Sequence, residues 1–352
     1  MPDSMPRPSK IDAAWDAADS SSLADDSPTV VSDPVDMLRQ AEALYEQGRL
    51  EDAWETGEAA RYAFAVSDPI AETEALYLLA CVAKDRGFSH VGEERIARAI
   101  QQRAELTAGA VPLSWYELHA AIAQMNGEAA TAMTAWEAAV KMARATREQT
   151  GEGTERLCVA LRALGDGYLS RGELDRARET FASLVVEARA LVEQGADLSA
   201  FRHLTSALQR LGDACHTAED LPATIAAYRD AVREAKRAAA ALDDAPEALW
   251  DLSVGLNRLG AVQLEADQAQ AAIASFEQSV DARRAILAAT GRTEASLTAL
   301  ASSLAKLGNA LAHEGETEAA ATALDEAAML DRELGGEEEE HQAMTVVPPP
   351  LR

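Results

Sequence analysis

Arg210, Arg258 and Lys306 stand 48 residues apart, and Arg162 lies one residue off the same register. Gln209, Asn257 and Asn309 are close beside them in sequence, with His216 and His313 further along. Guanidinium, ammonium and carboxamide groups at a fixed interval offer one chemistry above all, the holding of carboxylates through charge-assisted hydrogen bonds. A second outcome is equally open, because a repeated sequence copies an internal ion pair each time, so these bases could pair with acids of the neighbouring repeat. Bond-breaking chemistry has no comparable set. The chain holds no G-x-x-x-x-G-K-[ST] loop, no G-x-S-x-G elbow, no H-E-x-x-H and no C-x-x-C. Cys215 and His216 are neighbours, so on a helix their side chains diverge by about 100°. Cys215 falls at a buried position of the repeat, and the six histidines show no ligand spacing. The expectation is a protein without catalytic residues, metal or cofactor.

The elements that must position the ladder are marked by a Leu-Gly step. It recurs at Leu164-Gly165, Leu211-Gly212, Leu259-Gly260 and Leu307-Gly308. Sixteen residues after each glycine comes a large apolar residue: Phe181, Tyr228, Phe276 and Leu324. Twelve after it comes a small one: Ala177, Thr224, Ala272 and Ala320. A fixed period of this length in helix-forming sequence predicts a stack of helical units rather than a globular enzyme core.

Composition agrees. Hydrophobic residues make up 48% of the 352, but aromatics only 5%, and alanine with Leu, Glu and Arg is helix-forming chemistry. The net charge is −27. Residues 1–34 hold seven acids against two bases and residues 335–352 four against one, which leaves −27 + 5 + 3 = −19 on the body. A surface so acidic argues against nucleic acid and anionic membrane as partners, since both are bound by neutralising phosphate. No apolar run approaches the ~18–20 residues that span a bilayer. Three distant cysteines fit a reducing compartment rather than a disulfide framework. A cytoplasmic protein is expected, and the scarcity of lysine, five of 32 basic residues, points to a GC-rich bacterial genome.

Along the chain, residues 1–33 are rich in Ser, Asp and Pro and read as a disordered lead. Residues 34–334 read as seven helix-turn-helix units, with Gly48, Gly87, Gly127, Gly172 and Gly315 at left-handed helix ends. Asp244 to Glu247 has the spacing of a capping box. Gly335-Gly336 is expected to end the array, and residues 335–352, with Glu337 to Glu340 and Pro348 to Pro350, read as a disordered acidic and proline-rich tail.

This register resembles the tetratricopeptide repeat family. Its pattern is met by Leu161, Leu164, Gly165, Tyr168, Gly172, Ala177 and Phe181, and again by Leu304, Leu307, Gly308, Leu311, Gly315, Ala320 and Leu324. The segment from Trp250 to Gly260 is similar to the long-repeat branch common in large bacterial signalling proteins. The usual unit has 34 residues, and here the last four step by about 48. About 14 extra residues add ~21 Å of helix. Gln40, His119 and Gly92 depart from the pattern, which leaves the register of the first three units open.

The resemblance implies an all-α, right-handed superhelical solenoid of about seven antiparallel hairpins. It further implies a non-catalytic scaffold or adaptor that takes a partner's peptide, tail or helix in a concave groove lined by each first helix. There Arg162, Gln209, Arg210, Asn257, Arg258, Lys306 and Asn309 would meet the partner, as in the carboxylate clamp of tetratricopeptide co-chaperones. Asp166 and Asp213 stand where such a clamp prefers Asn. The alternatives are a sensor-regulator, or an acidic assembly or secretion-type chaperone, whose array controls a separate effector protein.

Overall fold

In a computed structural model the described residues are 33–345, apart from Ala108 and Ala110, with side chains described to Leu334. They form helices and connecting turns, with no strand among them. The helices are α1 (Pro34–Glu46), α2 (Leu50–Ser67), α3 (Pro69–Asp85), α4 (Ser89–Leu106), α5 (Leu113–Met125), α6 (Ala129–Thr150) and α7 (Thr154–Ser170). They continue with α8 (Leu174–Gln194), α9 (Leu198–Thr217), α10 (Leu221–Ala241), α11 (Pro246–Glu265), α12 (Ala269–Thr290), α13 (Glu294–His313) and α14 (Thr317–Thr345). Each odd-numbered helix packs on the even one that follows, and each hairpin packs on the next, which makes an all-α solenoid of seven hairpins. No described helix is long and apolar enough to cross a membrane.

Within every hairpin the turn has one residue in the left-handed region. It is glycine in five hairpins, at Gly48, Gly87, Gly127, Gly172 and Gly315, and Glu219 (φ 57) and Asp267 (φ 56) in the fifth and sixth. A side chain there costs about 1–2 kcal/mol. Glycine recovers that but loses about 0.5–1 kcal/mol through the freedom of the unfolded chain. Glu219→Gly should therefore stabilise the protein by about 0.5–1 kcal/mol in urea denaturation. A loss of stability would mean that Glu219 makes contacts worth more than its strain.

Counting from these turns settles the register of the first three hairpins. Seven residues before the turn stand Ala41, Ala80 and Ala120, all fully buried, where the later hairpins carry Gly165, Gly212, Gly260 and Gly308. Nine residues after the turn stand Gly57, Ile96 and Trp136, then Phe181, Tyr228, Phe276 and Leu324. The two positions face each other across the hairpin. A Cβ built on Gly260 would lie 2.6 Å from Phe276 Cε1, and one on Gly212 would collide in the same way with the Tyr228 ring. The small residue lets the ring of the second helix lie directly against the backbone of the first.

Two helix ends differ from the sequence reading. The Asp244–Glu247 capping box does not form. Pro246 takes the first helical position, Ala245 becomes the N-cap, and Asp243 and Asp244 are left-handed turn residues. A reciprocal box forms instead between Thr293 and Ser296. The last helix also does not stop at Gly335-Gly336 but runs to Thr345. Glycine costs about 1 kcal/mol in a helix without removing its hydrogen bonds, whereas proline removes a donor, and the first proline comes only at Pro348. The proposed lead, apart from Asp33, and residues 346–352 of the proposed tail lie outside the described residues. Asp33 itself caps α1, its carboxylate accepting from the Val35 amide at 2.9 Å.

Candidate interaction face

First helices of successive hairpins touch, as α1 does α3, α7 does α9, α9 does α11 and α11 does α13, while no two successive second helices meet to that extent among the described residues. The layer of first helices is therefore the inner one. The ladder of bases lies on it, and its members divide into two groups.

Arg210 and Arg258 pair with carboxylates of the array, although each side chain stays 43% exposed. Arg258 Nη1 donates to Asp213 Oδ1 at 2.7 Å, and the Tyr228 hydroxyl donates to the same oxygen at 2.6 Å. Arg210 lies between two acids, Nε 3.6 Å from Asp166 Oδ1 and Nη1 4.0 Å from Asp213 Oδ2. Burial works against the Arg258 charge, but the Asp213 carboxylate outweighs it and holds the guanidinium above its ordinary pKa. Burial, then the hydrogen bond to Asp213, pushes Tyr228 up as well. Asp166 is held above the usual carboxylate range by burial, which Arg210 and Arg162 offset only in part. The pairing with a neighbouring repeat is thus what these two bases do.

Arg162, Lys306 and Asn309 are exposed, and none makes an ion pair or a hydrogen bond among the described residues. The reason for Lys306 is one residue. The position after the crossing glycine is Asp166, Asp213 and then Ala261, so Lys306 meets no carboxylate on the preceding first helix. The two amides face inward. Asn257 Nδ2 donates to Ser303 Oγ at 3.1 Å, joining α11 to α13, and Gln209 Nε2 lies 3.8 Å from where a Cβ on Gly255 would stand. Sequence spacing brought all seven residues to one layer, but it did not separate the bases that pair with a carboxylate from those that do not.

Further bridges on this layer went unread in the sequence. Arg202 Nε donates to Asp251 at 2.6 Å, His216 Nε2 lies 2.6 Å from Glu265 and His203 Nε2 3.4 Å from Glu155. Between α7 and α9 lies a cleft of about 190 Å³, lined by Arg162, Ser199, Arg202, His203 and Ser206 over a floor of Cys158 and Leu184. Burial pushes the Cys158 thiol up to about 12 and raises Cys215 as well. Neither has the depressed pKa of a nucleophilic cysteine. Away from this layer, His90, Glu93 and Glu128 bring donor atoms within 4.8 Å of one another at the α4 and α6 helix starts. Glu93 is held above its ordinary range by burial and by its contact with Glu128.

No protein-family model matches the chain, and no curated protein sequence does. Solved structures do resemble it. The C-terminal part of a tetratricopeptide-repeat protein from Cytophaga hutchinsonii covers 84% of this chain and 95% of its own at 12% identity, with a TM-score of 0.55. BtubC from P. vanneervenii, 16% identical, covers 81% and 94% with a TM-score of 0.47. The apo quorum sensor NprR from B. thuringiensis, 10% identical, covers 91% and 93% with a TM-score of 0.45. The last two superpose too loosely to argue from. The hairpin register, the glycine crossings and the first of these likenesses agree on the fold: the chain is a helical repeat of the tetratricopeptide type.

Proposed function

We propose that the protein is a non-catalytic interaction module, a scaffold or adaptor that holds another protein's peptide, tail or helix along its layer of first helices. The observation that carries this reading is the division of the ladder. Arg210 and Arg258 form ion pairs with Asp166 and Asp213, while Arg162 and Lys306 are exposed on the same layer and make no ion pair among the described residues. In a chain of net charge −27 two such bases attract a partner's carboxylates and steer its approach. Asn309, one turn beyond Lys306, adds a neutral donor and acceptor.

The test is capture of partners from native lysate, read by mass spectrometry. The bait is compared with Arg162→Glu/Lys306→Glu and with Arg229→Glu, the same kind of charge reversal on the second helix α10. A specific partner should be retained by Arg229→Glu and lost by the double variant. Retention by both variants would remove the inner layer from recognition.

A further inference from the structure

Twenty-three residues beyond the crossing glycine the fourth and fifth hairpins carry Ala188 and Ala235, both buried. The sixth carries Arg283 at the same place on α12, and this arginine is only 5% exposed. Its Nε and Nη1 are buried without a hydrogen-bond partner, and it makes no ion pair among the described residues. Its one contact of note is with Trp250 of α11, whose ring lies 3.6 Å from the guanidinium carbon. Burial lowers the Arg283 pKa to about 10, which still leaves it charged at neutral pH. An aromatic face offsets part of the cost of burying a cation, but it does not satisfy N–H donors. An alanine would fit the framework here, so the charge is retained against stability.

Polar side chains stand on one side, and on the other Trp250 is partly open to solvent. Ser279, one turn before Arg283, donates to the Ser253 carbonyl at 3.2 Å and lies 3.2 Å from Ser303 Oγ. Asn257, bonded to that same Ser303, keeps its Oδ1 buried and unpartnered. Trp250 is 37% exposed and belongs to the inner layer.

We propose that Arg283 is the seat for one carboxylate of the bound partner, a side chain or a chain terminus, with Trp250 as the cover that shifts aside to admit it. This rests on the inner-layer reading above and names the chemistry the partner must bring. A planar carboxylate accepts two parallel hydrogen bonds from one guanidinium edge, here Nε–H with the adjacent Nη2–H. A phosphate dianion would meet a single cation inside a strongly acidic protein, so carboxylate is the better fit.

The experiment follows the Arg283 Nε–Hε NMR signal of the full-length protein at constant ionic strength, and assigns it by its loss in Arg283→Met. Three blocked tripeptides serve as probes: acetyl-Ala-Glu-Ala-amide, acetyl-Ala-Ala-Ala with a free carboxylate, and acetyl-Ala-Gln-Ala-amide. A saturable shift with the first or second and none with the third is expected, and which of the two binds identifies a side chain or a terminus. Trp250 fluorescence, assigned with Trp250→Phe, should change at the same peptide concentrations. Without peptide, Arg283→Met should melt higher than the unaltered protein, because an unpaired buried charge has gone. No saturable shift with either carboxylate, an equal response to the glutamine peptide, or a lower melting point for Arg283→Met would overturn the proposal. If that happens while Arg162→Glu/Lys306→Glu still loses the lysate partner, the seat falls and the interaction reading stands.

Discussion

Gly260→Leu should be among the most damaging single substitutions in the array, with a loss of about 3 kcal/mol or more in urea denaturation. Its first added carbon alone would stand 2.6 Å from Phe276 Cε1 and 2.8 Å from Cζ, and the rest of a leucine has nowhere to go. Phe276 is nearly fully buried and packs with Ala272, Ile273 and Ala320, so it cannot swing away. The damage belongs to the pair rather than to either residue. The second hairpin is built with Ala80 opposite Ile96, both fully buried. Gly260→Ala with Phe276→Ile copies that pairing, and should cost less than the sum of the two single changes. Additive losses would show that ring and backbone are not in the contact described.

Phe181→Ala should cost about 3–5 kcal/mol, the range for deleting a buried aromatic ring. Phe181 is 0% exposed and sits in the largest cluster of the core, which runs from Ala120 of α5 to Ala231 and Ala238 of α10. A linear array depends on contacts between neighbours, so a weak middle hairpin also uncouples the two ends. The calorimetric transition should drop in temperature and broaden or divide. A single sharp transition near that of the unaltered protein would mean that the core does not pass through the fourth hairpin.

What the sequence made legible follows from backbone needs. A left-handed turn and a close helix crossing each favour glycine, so Gly172 and Gly165 mark the hairpin without any knowledge of the fold. The first three hairpins were harder to align because their crossings use alanine, which is common everywhere in this chain. Measured from Gly48, Gly87 and Gly127, Ala41, Ala80 and Ala120 fall into register. Helix ends were less legible where two signals competed, as at Asp244 and Pro246, or where glycines weakened a helix without stopping it, as at Gly335. Side-chain partnerships were the least legible. Asp213 with Arg258 and Trp250 with Arg283 are 45 and 33 residues apart, and each depends on the rotation of one helix against another. One clue was present all the same. Ala261 stands where Asp166 and Asp213 stand in the earlier repeats, which already marks Lys306 as the base without an acid.

That difference between Arg258 and Lys306 allows the most direct test of the account. Partner affinity and melting temperature are measured side by side for Arg258→Ala and Lys306→Ala, at low and at physiological salt. Arg258→Ala removes a partner from Asp213 and the bridge between α9 and α11, so it should lower the melting temperature. Lys306→Ala should leave melting unchanged and weaken the partner severalfold, with the loss shrinking as salt screens the exposed charge. An unchanged affinity for Lys306→Ala, or a fall in its melting temperature to match Arg258→Ala, would contradict the claim that the inner layer presents its unpaired bases to a partner.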